Sequence, residues 1–340
     1  MTPSATDPVQ PPPAAPARSV APGVWRISTP MPFSPRQVHA YLAELGGGGF
    51  LLVDGGIGTE SAWEALDAGV LAAAGGWSAV AVHVLTHMHM DHVGLAARVR
   101  EASGAPVLMG RLDAERMAHA AAHPEEEAEY RRGLFARCGA PAEWVERVEQ
   151  GHAQARAAAP PVTVDGTLDG DAGEVPGAAG WRFAWTPGHT AGHVSLFRAD
   201  DGVLVAGDAV LPRITPTLGV NRQRADPVGD YLDALARLQA LRPALVLPGH
   251  GEPLEGAARM RELHDAAEGE TEAVAALLDG DPATTWEVVE RRYPGREMPP
   301  STRMLALRET LAHLERLVRG GRAARSGHDG AERFRHAELG

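Results

Sequence analysis

The sequence predicts an α+β protein in two parts: a layered domain over residues 20–255 and a smaller, mostly helical domain over 256–340. Three observations predict this. Up to about residue 255, short apolar runs bounded by glycine and proline alternate with helical patterns. Beyond it, helical periodicity takes over and ends in a hairpin-like segment. Histidines and aspartates recur where predicted strands stop, the place where layered α/β proteins put their ligands. With 340 residues, the chain can bury a sizeable core without staples.

Taken in order, residues 1–19 are rich in Pro and Ala and read as a disordered tail, partly polyproline II. They contain no apolar h-region, so no secretory signal is expected. "GVWRIST", "QVHAYLAEL" and "GFLLVDGG" read as strands, with "LGGGGF" as a hairpin turn. "TESAWEALDAGVLAAAGG" reads as a helix capped by Thr59 and stopped by Gly75 and Gly76. "VAVHVLTH" is a buried strand running into "THMHMDHVG", and "VGLAARVREASG" and "APVLMG" follow as helix and strand. Residues 111–157 look helical and charged, an insertion expected to cover a site. "GWRFAWTPGHTAGHVSLFRADDGVLVAGDAV" reads as three strands. "DPVGDYLDALARLQAL" is a helix with Asp226 as N-cap, and "PALVLPGHG" a strand and turn.

The last part carries three helical patterns, beginning at "AARMRELHD", "TTWEVVERRY" and "STRMLALRE". In the third, Met304, Leu307, Leu311, Leu314 and Val318 form one apolar face. "GRAARSGHDGAERFRHAEL" reads as two strands around "SGHDG". Helices followed by a hairpin suggest a winged-helix module.

Composition sets limits. The net charge of -12 argues against a broad nucleic-acid surface, and all 32 basic residues are arginine. The single cysteine, Cys138, cannot form an internal disulfide, so a reducing cytoplasm is expected. No apolar run approaches the roughly 20 residues that span a bilayer, so no membrane partner is expected.

Chemistry concentrates in "THMHMDHVG". His87 and His89, one residue apart, can converge on one ion; the adjacent Asp91 and His92 can turn toward another. Imidazole and carboxylate suit zinc and related first-row metals. His189 in "TPGHTAGHVS", Asp208 in "VAGDAV" and His250 in "LPGHG" each follow a predicted strand beside small residues. One such residue is ordinarily structural; the full set reads as a shared metal centre. Lone histidines elsewhere, His83, His119, His123 and His152, carry no assignment.

"THMHMDH", "PGHT", "GD" and "PGHG", with the early "LLVDGG", resemble the ordered motifs of the metallo-β-lactamase superfamily over about residues 20–255. The resemblance implies a four-layer αββα sandwich and two divalent metals, zinc by default, with iron or manganese as alternatives. It implies that His87, His89 and His189 hold the first metal, that Asp91, His92 and His250 hold the second, and that Asp208 bridges them. Asp91 is also the expected catalytic carboxylate, and Asp54 a supporting residue. A hydroxide between the metals would be the nucleophile, so no Ser or Cys is required. His193, in "AGHVS", is expected to support the site or face along its strand.

The set is most similar to the hydroxyacylglutathione-hydrolase-like branch, and the C-terminal part resembles the β-lactamase-2-like branch with its associated winged helix. That implies a thioester or related acyl ester, small or carried on a carrier protein. A phosphodiesterase or single-strand RNase stays open, as do an iron-dependent persulfide dioxygenase and a winged-helix regulator. The commonest zinc β-lactamases place a cysteine where this chain has Asp208, so β-lactam cleavage is not expected. Arg316, Arg319, Arg322, Arg325, Arg333 and Arg335 surround the expected wing, interleaved with Glu315, Asp329, Glu332 and Glu338. They read as a mixed solvated face or as a docking patch. "LPRITPTLGVNRQ" is expected to line the pocket, with Arg213 either facing an anionic group or serving as an ordinary loop charge, and Tyr130, Arg131 and Arg132 on the opposite wall. A homodimer is also expected.

Overall fold

A computed structural model describes residues 16–158, 162–328 and 330–337. The first fourteen elements, in chain order, are β1 (Arg18–Ala21), β2 (Val24–Pro30), β3 (Gln37–Glu44), β4 (Phe50–Val53), α1 (Glu60–Ala74), β5 (Val80–Leu85), α2 (Met90–Val93), α3 (Ala96–Ser103), β6 (Val107–Gly110), α4 (Arg111–Ala122), α5 (Pro124–Arg137), α6 (Ala142–Ala158), β7 (Gly166–Leu168) and β8 (Ala172–Glu174). Then come β9 (Trp181–Trp185), β10 (Val194–Arg198), β11 (Val203–Gly207), α7 (Pro227–Ala240), β12 (Leu245–Pro248), β13 (Leu254–Glu255), α8 (Ala258–Ala276), β14 (Ala283–Thr284), α9 (Thr285–Arg292), α10 (Pro300–Arg319), β15 (Ala323–His328) and β16 (Ala331–His336).

β1 to β7 form one sheet in chain order, and β13-β12-β11-β10-β9-β8 form a second. The strands alternate so that one face of each sheet meets the other. Val53, Val82 and Val84 pack there against Phe183, Leu196 and Val205. The opposite faces are covered by helices. Leu42 and Leu52 meet Leu66 and Val70 of α1, and Leu204 and Val246 meet Leu235 of α7 and Leu263 of α8. The result is the αββα sandwich.

The caps form as the sequence predicts. Thr59 accepts a hydrogen bond from the Ala62 N–H, Gly75 closes α1 in the left-handed region, and Asp226 caps α7 through the Gly229 N–H. Within the histidine run, residues 90–93 close into the one-turn helix α2. The expected tail lies mostly outside the described residues, but Arg18 and Ser19 pair with Arg26 and Trp25 as a strand.

α8 belongs to two cores. Its Met260 and Leu263 pack on the second sheet, whereas Val274 and Ala275 join a cluster with α9, α10 and β16. The insertion helices enter that same cluster through Leu134, Phe135 and Trp144. The expected apolar face of α10 is there too: Leu307, Leu311 and Leu314 are buried, with Met304 and Val318 at its margin. β15 and β16 form the expected hairpin, joined by β14 into a three-stranded sheet.

Candidate metal centre

The seven expected ligands arrive from four strand ends. β5 leads to His87 and His89 and then to Asp91 and His92 on α2; β9 leads to His189, β11 to Asp208 and β12 to His250. Three groups of potential ligand atoms result: His87, His89 and His189; Asp91, His92 and His250; and His87, His92 and Asp208, each within 4.8 Å of one another. Asp208 lies between the other two groups. Its Oδ2 is 3.6 Å from Nε2 of both His189 and His250, and its Oδ1 is 3.5 Å from His92 Nε2. Asp91 Oδ2 is 3.2 Å from His250 Nε2. Gly249 is required by this closeness: a Cβ there would strike Asp208 Oδ1 and His92.

The outward nitrogens of the rings are tied down. His250 Nδ1 donates to the Gln37 carbonyl at 2.8 Å, and His189 Nδ1 to that of Thr217 at 3.0 Å. His92 Nδ1 donates to Asp54 Oδ2 at 2.8 Å, while Asp54 also accepts from the Thr86 N–H and hydroxyl. These bonds aim Nε2 of each ring inward, where a metal ion would take the place of a proton on it. Asp54 sits at φ 60, a conformation rarely used outside glycine, and three hydrogen bonds hold it there.

A cation fits this donor set. His92 Nε2, His189 Nε2 and Asp208 Oδ1 are buried without a hydrogen-bond partner in the protein, an arrangement that buried polar atoms rarely tolerate. Burial opposes a charge on His92, yet Asp54, Asp208 and Asp91 push its pKa up to about 10. Burial also opposes ionisation of Asp91, but His92 and His250 hold it well below the usual carboxylate range. Burial and neighbouring imidazoles keep His87 and His89 far below the usual histidine range, hence neutral and able to ligate.

His193 is fully buried, and its Nε2 accepts the Asp208 N–H at 3.1 Å. Its Nδ1 donates to Thr186 Oγ1, which meets Ser195 Oγ, and Ser195 donates to the Ala206 carbonyl. This chain of bonds fixes the backbone of Asp208. His193 therefore supports the site and does not line it.

Sequence reasoning missed Asp113. This fully buried carboxylate on α4 accepts from the Met88 N–H, between His87 and His89, at 3.0 Å. It also accepts from Thr190 Oγ1 at 2.6 Å and the Gly192 N–H at 2.7 Å, beside His189. One side chain thus clamps two ligand-bearing loops. Asp113 lies in the first turn of a helix, where acids are ordinary, so nothing in the sequence singles it out.

Two cavities of about 250 and 220 Å³ open at the centre and share His89, His189, Gly219 and Arg308. The segment after Asp208 lines both, and the insertion helices wall the larger one through Tyr130 and Arg131. Arg132 and Arg213 are exposed and line neither. Cys138 lies in the C-terminal core, where burial pushes its pKa up to about 12. Most expected wing arginines are engaged: Arg316 pairs with Asp226, Arg322 with Glu272, Arg325 with Glu315 and Arg333 with Glu287. Arg335 is not free either, and Asp329 and Glu338 lie outside the described residues.

The profile of the metallo-beta-lactamase superfamily matches residues 33–250. The chain belongs to this superfamily. A second profile, the metallo-beta-lactamase-like C-terminal domain, matches residues 271–337. A metallo-beta-lactamase family protein from Thermus thermophilus is 33% identical with a TM-score of 0.78, over 94% of this chain and 100% of that one. The probable metallo-hydrolase YqjP of Bacillus subtilis is 28% identical over 86% of this chain and 91% of its own length. The hydroxyacylglutathione hydrolase of Cereibacter sphaeroides is 25% identical over 59% of this chain and 61% of its own. The chain is thus a metallo-hydrolase of this superfamily with a His/Asp cluster suited to metal. No helix of the described residues is long and apolar enough to cross a membrane.

Proposed function

We propose that the chain hydrolyses a thioester or related acyl ester with two divalent metal ions, zinc by default. His87, His89 and His189 would hold one ion, Asp91, His92 and His250 the other, with Asp208 between them. Bound there, the ions supply Lewis acidity, lowering the pKa of a water and polarising a carbonyl. Asp54 and the Gln37 and Thr217 carbonyls orient the imidazoles. Asp91 lines the metal-side cavity and stays ionised, so it serves as an acceptor that orients the attacking water.

The observation that carries the thioester reading is the state of the cleft carboxyls. Asp91 and Asp208 belong to the ligand set. Asp113, whose pKa burial pushes up to about 6, has both oxygens engaged by loop donors. Among the described cleft residues, no carboxylic acid is left to protonate a leaving group. A thiolate leaves without that help. The likeness to a hydroxyacylglutathione hydrolase supports the same class.

Thiol release from a panel of acyl thioesters tests this, with the His87→Ala/His89→Ala double variant as control. Release that disappears in the variant is expected. No release from fully metallated protein overturns the reading, and single-stranded RNA and phosphodiesters are then the next substrates. The wing would serve as a docking or packing module, consistent with its paired arginines.

A further inference from the structure

Arg308 is the charge that the metal-centre chemistry leaves unused. It projects from α10 to the junction of the two cavities, where Nη2 donates to the Val220 carbonyl at 3.0 Å. Gly219 leaves room for it: a Cβ there would press on the guanidinium. The neighbouring cations are matched. Arg131 forms a two-pronged pair with Glu149 at 2.7 and 2.8 Å, and Glu127 pairs with both Arg116 and Arg222. Arg308 has no such partner among the described residues. Burial and the like charges of Arg116 and Arg131 disfavour its cationic form. Arginine nevertheless stays protonated, so a half-buried guanidinium without a carboxylate partner among the described residues stands at the cleft. A ligand bringing its own negative charge would supply that partner.

We propose that Arg308 seats an anionic group, a carboxylate or phosphate, on the substrate. Its planar fork suits such oxygens two at a time. The cavity between it and the insertion helices supplies apolar lining from Leu134, Phe135 and Met304 for an apolar part of the molecule. A chain with net charge -12 thus selects a negatively charged substrate through one local surplus of positive charge.

This rests on the cleft being the substrate site, and two measurements separate its failure from that of the thioester reading. The first compares hydrolysis of acetyl thioesters of glutathione, coenzyme A and neutral N-acetylcysteamine by wild type, Arg308→Met and Arg308→Lys. The second is calorimetric binding of the S-methyl thioethers of the same three thiols to the metal-loaded proteins, which requires no turnover. The anionic-to-neutral ratio of kcat/KM, and the affinity for one anionic thioether, are expected to fall about 30-fold in Arg308→Met. Arg308→Lys, expected to recover part of the loss, also reads out the charge if the Met variant fails to fold. Dependence on the glutathione probe identifies a carboxylate, and on the coenzyme A probe a phosphate. Ratios and affinities alike in all three proteins, or no anionic thioether bound by wild type, overturn the inference. Charge-dependent binding without hydrolysis of any thioester retains it while the thioester reading fails.

Discussion

Replacing Asp113 by Asn is the sharpest test of how the ligand loops are held. Asp113 Oδ2 accepts from Met88 N and Thr190 Oγ1, and Oδ1 from Gly192 N. An amide of the same shape keeps a single acceptor oxygen. Its better orientation keeps that oxygen toward Met88 and Thr190 and turns the NH2 onto the Gly192 N–H, a contact of 2.7 Å now between two donors. Gly192 lies so close to Asp113 that a Cβ on it would collide with that residue. Losing one charged hydrogen bond and leaving a buried donor unpaired costs about 2–3 kcal/mol. Because the clamp joins the loops of His87, His89 and His189, metal affinity is expected to fall about 10–100-fold. Urea unfolding of the metal-free protein and a competing chelator titration measure the two effects. Glu115→Gln, on the exposed side of the same helix, is the control and is expected to change stability by less than about 0.5 kcal/mol. A variant that loses stability but binds metal as wild type does would refute the clamp; so would one unchanged in both.

Two further outcomes follow from buried groups. Asp54→Asn keeps a side chain that tolerates the left-handed backbone but removes the charge facing His92 Nδ1, so metal affinity should fall about 10–100-fold, read by metal content after dialysis. His313 lines neither cavity and is bonded to Thr271, and burial reinforced by Arg292 and Arg316 lowers its pKa to about 4 from 6.5. The unfolded chain then binds the extra proton between those values, so the stability this neutral group contributes is complete above pH 6.5 and lost as pH falls through about 4. The loss reaches about 3 kcal/mol. Urea unfolding of His313→Gln should show a shallower acid-side decline than wild type, and identical slopes would refute the assignment.

The seven side chains that the structure brings together were legible because their signal is local. His87, His89, Asp91 and His92 lie within six residues, and each remaining ligand follows a strand beside glycine or proline. The helix caps at Thr59 and Asp226 were legible for the same reason: the capping oxygen and its N–H lie three residues apart. The elements that escaped are short. β1, β7, β8, β13 and β14 have two to four residues each, too few for alternation to show, and they exist because a neighbouring strand offers an edge. Arg213 was the arginine expected at the pocket because it follows Asp208 in sequence; it is exposed, and Arg308, far along the chain, lines the cavities instead. Sequence distance says little about which helix end reaches a cleft.

That reach explains why the C-terminal part and the insertion helices belong to the site as well as to the fold. Leu134 and Phe135 of α5 pack in the same core as Leu307 and Leu311 of α10, so the insertion and the last helix are braced against each other. The same two helices then present Tyr130, Arg131, Met304 and Arg308 to the larger cavity. The sandwich fixes where the ligands converge; the brace fixes what can approach them. A change in the α5–α10 core would reshape the wall of the cavity that His89 and His189 also line. Substrate range is thus expected to follow the wall built by α5 and α10, while the ligand set depends on the sandwich loops and, through Asp113, on α4 of the insertion.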